Sequence, residues 1–167
     1  FVAFVSYADN LVPDDTNIWP DVFVHDRQTG VTERVNVDSA GNQADTWIGD
    51  WVVISADGRY VAFETPASNL VPGDSNNFCG PTGTTPCDDI FVHDRQTGVT
   101  EQVSVDSAGN QGNGDSGTAE FGSGLAGRFD ISADGRYVAF GSFADNLVPG
   151  DTNGSGDVFV HDRQTGA

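Results

Sequence analysis

An all-β fold of repeated four-stranded antiparallel sheets is predicted by three features of this sequence. A ten-residue text, DVFVHDRQTG or DIFVHDRQTG, begins at positions 21, 89 and 157, 68 residues apart both times. A second text, ISADGRYVAF, fills 54–63 and 131–140, and FVAF at 1–4 is its truncated first copy. Composition is the third feature: 37% apolar residues and 21 Gly in 167, with no helical periodicity. A long fixed period marks a repeat architecture. Short apolar runs bounded by Gly, Asn, Asp and Ser mark strands joined by turns.

Each element follows from the repeated text, with the strands of a unit lettered A to D. Asp57-Gly58 and Asp134-Gly135 predict tight hairpins, because Gly takes a positive φ without steric penalty. Strand A therefore ends near Ile54-Ser55, and strand B runs from Arg59 to about Glu64. A loop follows with its own repeated text, ADNLVPDD at 8–15, ASNLVPGD at 67–74 and ADNLVPGD at 144–151, and then an acidic segment. Strand C is DVFVHD, and the Arg27-Gln28-Thr29-Gly30 turn and its copies lead into strand D, VTERVNV at 31–37 and VTEQVSV at 99–105. Strands B and C are apolar on both faces, which predicts sheets stacked face to face. Four-stranded sheets stacked radially make a β-propeller.

The units so defined are 1–37 (strands B, C and D), 38–105 (A to D) and 106–167 (A to C). Two insertions fall in connections, as a repeat scaffold tolerates. Tyr60 to Asp89 spans 29 residues against 20 for Tyr137 to Asp157, and the longer connection holds both cysteines, Cys79 and Cys87. The D-to-A connection before the third unit is also longer and rich in Gly and Ser, a surface loop by composition.

ISADGRYVAF resembles the SPDGxxIAF core of TolB-type, WD40-like (PD40) propeller repeats, and the resemblance spans nearly the whole chain. It implies four-stranded propeller blades and leaves function open, since such blades serve as scaffolds, binding proteins and accessory domains of secreted hydrolases. Closed propellers have four to eight blades, so about three blades predict an incomplete ring. The expectation is a fragment of a longer chain, lacking its natural N-terminus because it begins inside an apolar run. The other expectation is an assembly in which neighbouring copies supply missing strands at open edges.

Charge narrows the function. The formal net charge is −18, and all seven basic residues are Arg. This argues against nucleic acid or an anionic membrane as partner, and the sequence has no membrane-spanning run or signal peptide. Bound cations are one way to neutralise such acidity. The B–C loop of the third unit, Asp151-x-Asn153-x-Ser155-Gly156-Asp157, places oxygen donors at alternate positions and resembles the DxNGxxD calcium loops of FG-GAP propellers and dockerins. The first unit offers Asp15, Asn17 and Asp21, with Ile18-Trp19-Pro20 in place of the Gly-rich turn. The second offers Asp74, Asn76, Asp88 and Asp89, split by the insertion. The plainer reading of these loops is Asx turns that cap the chain locally. Asp26, Asp94 and Asp162 are read as starting the RQTG turns, because five strand residues at ~3.3 Å each carry them too far to close a loop site.

Two cysteines in one loop predict a Cys79–Cys87 disulfide and an oxidising, extracellular or periplasmic location. His25, His93 and His161 sit in equivalent strands of different units, too far apart to converge, and are read as structural. Trp19, Trp47 and Trp51 break the repeat and are candidates for a protein or sugar contact surface; packing between blades is the alternative. No catalytic residues stand out. The functional expectation is a non-enzymatic, calcium-stabilised, secreted propeller scaffold that makes structural, protein or glycan contacts. Self-assembly into a filament is one possible role. The rival expectation is an accessory or catalytic propeller of a secreted hydrolase or polysaccharide lyase.

Overall fold

The computed structural model describes residues 1–75, 79, 86–117 and 129–167. Its strands form three antiparallel sheets that do not close into a ring. The first runs β1 (Val2–Ser6), β2 (Asp21–His25), β3 (Thr32–Arg34). The second runs β4 (Val52–Ile54), β5 (Tyr60–Thr65), β6 (Asp89–Asp94), β7 (Val99–Gln102). The third runs β8 (Phe129–Ile131), β9 (Tyr137–Ser142), β10 (Asp157–Asp162). No helix occurs among the described residues, so none is long and apolar enough to cross a membrane.

Turn chemistry sets the strand pairing. Gly58 and Gly135 have φ of 75° and 72°, and the preceding Asp side chains close each hairpin. Asp57 Oδ1 accepts from Ser55 Oγ and Arg59 N–H at 2.6 and 3.0 Å, and Asp134 repeats both bonds with Ser132 and Arg136. In the RQTG turns Asp26, Asp94 and Asp162 accept the N–H of Gln28, Gln96 and Gln164. Register then repeats an aromatic pair between the B and C strands of every sheet: Phe4 opposite Phe23, Phe63 opposite Phe91 and Phe140 opposite Phe159. The ring centroids are 5.7, 6.1 and 6.0 Å apart.

Two apolar layers join the sheets. Val22, Val24, Val61, Phe63 and Leu70 fill the space between the first and second. Ala62, Ile90, Val92, Val138 and Phe140 fill that between the second and third. The central strands β5 and β6 are therefore buried on both faces, whereas Val158 and Val160 on β10 are 68% and 60% exposed.

A polar latch repeats at each sheet-to-sheet boundary. Arg95, from the RQTG turn of the second sheet, pairs with Glu33 on β3 and lies 4.4 Å from the Phe1 ring centroid. Arg163 does the same in the third sheet, with Glu101 on β7 and the Tyr60 ring at 4.2 Å. Each guanidinium also donates to the carbonyl of its own hairpin glycine, Gly58 or Gly135. These glycines cannot carry a side chain. A Cβ on Gly135 would lie 2.0 Å from the Tyr60 ring, and one on Gly58 would lie 2.1 Å from Phe1.

Candidate functional site

The acidic loops lie at the start of β2, β6 and β10 and differ in what neutralises them. In the first, Asp15 and Asp21 converge on Arg34, whose Nη1 is 3.5 Å from Asp15 and 3.3 Å from Asp21. Burial first, and Asp21 second, raise Asp15 above the ordinary carboxylate range. Asp21 is also held from strand D, accepting from Asn36 Nδ2 at 2.5 Å. Asn17 forms an Asx turn with the N–H of Trp19 at 2.8 Å.

The second loop has an uncharged residue where the first has Arg34. The register that places Arg34 opposite Phe23 places Gln102 opposite Phe91. Asp74 is pushed up to about 6, chiefly by burial and then by the charge of Asp89, while Gln111 donates to it at 3.3 Å. Asp89 is buried and accepts from Ser104 Oγ at 2.6 Å. Asp88 is tied through its backbone to the connection that follows strand D. Its N–H donates to Asp115 Oδ1 at 3.3 Å and its carbonyl accepts from Ser116 at 2.7 Å. Asn76 lies outside the described residues.

In the third loop Asn153 bonds the motif's last carboxylate. Its Nδ2 donates to Asp157 Oδ2 at 2.9 Å and its Oδ1 accepts the Ser155 N–H at 2.7 Å. Asp151, Asn153, Asp157 and Phe159 line an open concavity of about 440 Å³. Two carboxylates, one amide and backbone carbonyls are the donor types a hard cation collects. Among the described residues, however, none of these loop carboxylates belongs to a group of three carboxylates, thiols or imidazoles within 4.8 Å of one another. A calcium shell here would draw on amide, backbone and water oxygens.

Cys79 and Cys87 form a disulfide with Cα atoms 5.0 Å apart. Their sulfurs group with Asp115 at metal-like spacing, but the S–S bond removes both thiolates as ligands. His25 and His93 each bond a threonine one strand away, Thr32 at 2.9 Å and Thr100 at 2.8 Å, within their own sheets. Burial lowers the pKa of His93 and His161. Trp51 ties sheet to sheet, donating from Nε1 to the Phe129 carbonyl at 3.2 Å. Trp19, Trp47 and Trp51 stay 40%, 36% and 42% exposed.

Sequence reasoning missed two residues. Arg34 departs from its repeat partner Gln102, and that departure was its visible signal. Glu64 on β5 is 9% exposed, its Oε2 has no hydrogen-bond partner among the described residues, and burial, then Asp88 and Asp50, push it up to about 8. Its signal was the same kind of departure: β9 carries Gly141 and β1 carries Val5 at that position.

No family model matches this chain, and no curated protein matches it. Among solved structures it is similar to the crystal structure of the tricorn protease, at 16% identity and a TM-score of 0.44. The overlap covers 89% of this chain and 10% of that one, so the chain spans a tenth of that protein's length.

Proposed function

We propose that this chain is a non-enzymatic, extracellular or periplasmic β-propeller scaffold of the PD40 kind, whose acidic B–C loops are pinned by calcium. The observation that carries the reading is Arg34. In the first loop the carboxylates of Asp15 and Asp21 gather around a positive group. The second loop presents Asp74 and Asp89 with uncharged Gln102 at the matching place, and there a divalent ion takes the role of the guanidinium. In the third loop Asp151, Asn153, Ser155 and Asp157 supply the oxygens. The ion fixes strand C by gathering carboxylates that otherwise repel. The Cys79–Cys87 bond supports an oxidising compartment, and the exposed Trp19, Trp47 and Trp51 supply a contact surface for a protein or glycan.

Melting curves in EDTA and in calcium chloride test this, with Gln102→Arg as the decisive variant. Calcium raises the melting temperature of the wild type. Gln102→Arg supplies the charge covalently, so it melts higher in EDTA and gains less from calcium. Wild-type melts that coincide in EDTA and calcium would overturn the reading. Asp151→Asn with Asp157→Asn reports separately on the third loop.

A further inference from the structure

The second sheet carries two acids that its repeat partners lack. Glu64 corresponds to Gly141 and Val5, and Asp88 to Gly156 and Pro20. Glu64 pairs with Ile90 across β5 and β6, and Asp88 lies two residues before Ile90. Alternation along a strand puts residues two apart on one face, and a diagonal cross-strand neighbour is roughly 7–8 Å away. Both acids are at least nine-tenths buried, at 9% and 7% exposure.

Among the described residues Glu64 Oε2 has no hydrogen-bond partner, and it points at the segment that flanks Asp88. A Cβ on Gly117 would lie 2.6 Å from that oxygen. Asp115 and Ser116, just before Gly117, bond the N–H and carbonyl of Asp88. On its other side, Glu64 Oε1 is 2.5 Å from where a Cβ of Gly49 would sit, next to Asp50. Glycine on both flanks makes room for the carboxylate, and Ile90 Cδ1 packs against the same Gly117 position at 2.5 Å.

We infer that Glu64 and Asp88 are the carboxylate ligands of a separate calcium site, buried between the second and third sheets. A bare carboxylate inside a protein is strongly disfavoured unless it is paired or bound to metal. A divalent ion supplies Glu64 with positive charge without needing the volume of a side chain. The site shares the ion and Asp88 with the loop reading but stands without it, because its donors come from β5 and from the face opposite Asp74 and Asp89.

The experiment is calcium titration calorimetry on EDTA-stripped protein, with melting curves in parallel, for wild type, Glu64→Gln, Asp88→Asn and the Asp151→Asn, Asp157→Asn double variant. The expected result is one bound calcium fewer, and a smaller rise in melting temperature, in both Glu64→Gln and Asp88→Asn. The double variant loses a different calcium and keeps this one. If Glu64→Gln and Asp88→Asn bind as many calcium ions as the wild type and gain as much on melting, the site does not exist. Should Glu64→Gln fail to fold, Asp88→Asn carries the same comparison. If the double variant is silent and Gln102→Arg gains as much from calcium as the wild type, the loop reading fails and this one survives.

Discussion

Replacing Glu64 by Gln in the metal-free protein isolates the free energy of one buried carboxylate. The ordinary value of a Glu carboxyl is 4.5, and burial with Asp88 and Asp50 nearby pushes this one up to about 8. The folded state therefore holds a proton that the unfolded chain releases, so stability is full below the unfolded value and falls as pH rises toward the folded one. At pH 7 the unfolded carboxyl is almost wholly ionised and the folded one still protonated, which costs the fold about 3 kcal/mol at ~1.36 kcal/mol for each factor of ten in proton affinity. Gln keeps the shape and one acceptor oxygen and does not titrate. In EDTA, Glu64→Gln should match the wild type near pH 4 and exceed it progressively up to pH 8. At ~2–4 °C per kcal/mol for a chain of this size, the gap at pH 7 is about 6–12 °C. Urea unfolding followed by tryptophan fluorescence, from pH 4 to 9, measures it. Parallel pH profiles for the two proteins would refute the argument. A variant less stable than the wild type at pH 7 would show that a cationic partner already holds Glu64.

The other predictions concern the scaffold. Arg163→Ala and Glu101→Ala should each lower stability by about 1–2 kcal/mol, and a double-mutant cycle should show them coupled by at least ~0.5 kcal/mol; simple additivity would deny the latch. Gly135→Ala forces a Cβ at positive φ into the Tyr60 ring and should cost at least about 2 kcal/mol in urea melts, part of it recovered by Tyr60→Ala in the same chain. Asp14 has φ of 62° where the other loops have Gly73 and Gly150 at 83° and 85°, so Asp14→Gly should gain up to ~1 kcal/mol. Reducing the Cys79–Cys87 bond should lower stability by about 2.5 kcal/mol on the chain-entropy account, read by melts with and without dithiothreitol.

What the sequence reveals, and what it hides, divides by distance along the chain. The hairpins and RQTG turns are local, so Asp57-Gly58 and Asp26 to Gly30 announce themselves in a few residues. Two-sided burial of β5 and β6 is equally visible, as apolar residues on both alternations. The latch is not, because Glu33 and Arg95 are 62 residues apart, as are Glu101 and Arg163. Their recurrence at the repeat period hinted at a shared role without naming the partner. The metal motifs run along the B–C loops in the sequence, whereas the last carboxylate is held from strand D: Asp21 by Asn36 and Asp89 by Ser104. Glu64 went unnoticed because a Glu at the end of a strand looks solvent-facing until the neighbouring sheet covers it.

The latch has a direction. Its arginine always comes from the later sheet, and its glutamate and aromatic ring from the earlier one. A duplicate of residues 31–98, spliced in after Gly98, would therefore arrive with its own glutamate facing forward and its own arginine facing back, 62 residues apart like the originals. The boundary chemistry needs no redesign for such a longer array. Building the reverse order would bring glutamate against glutamate, so the stack can be extended in one polarity only.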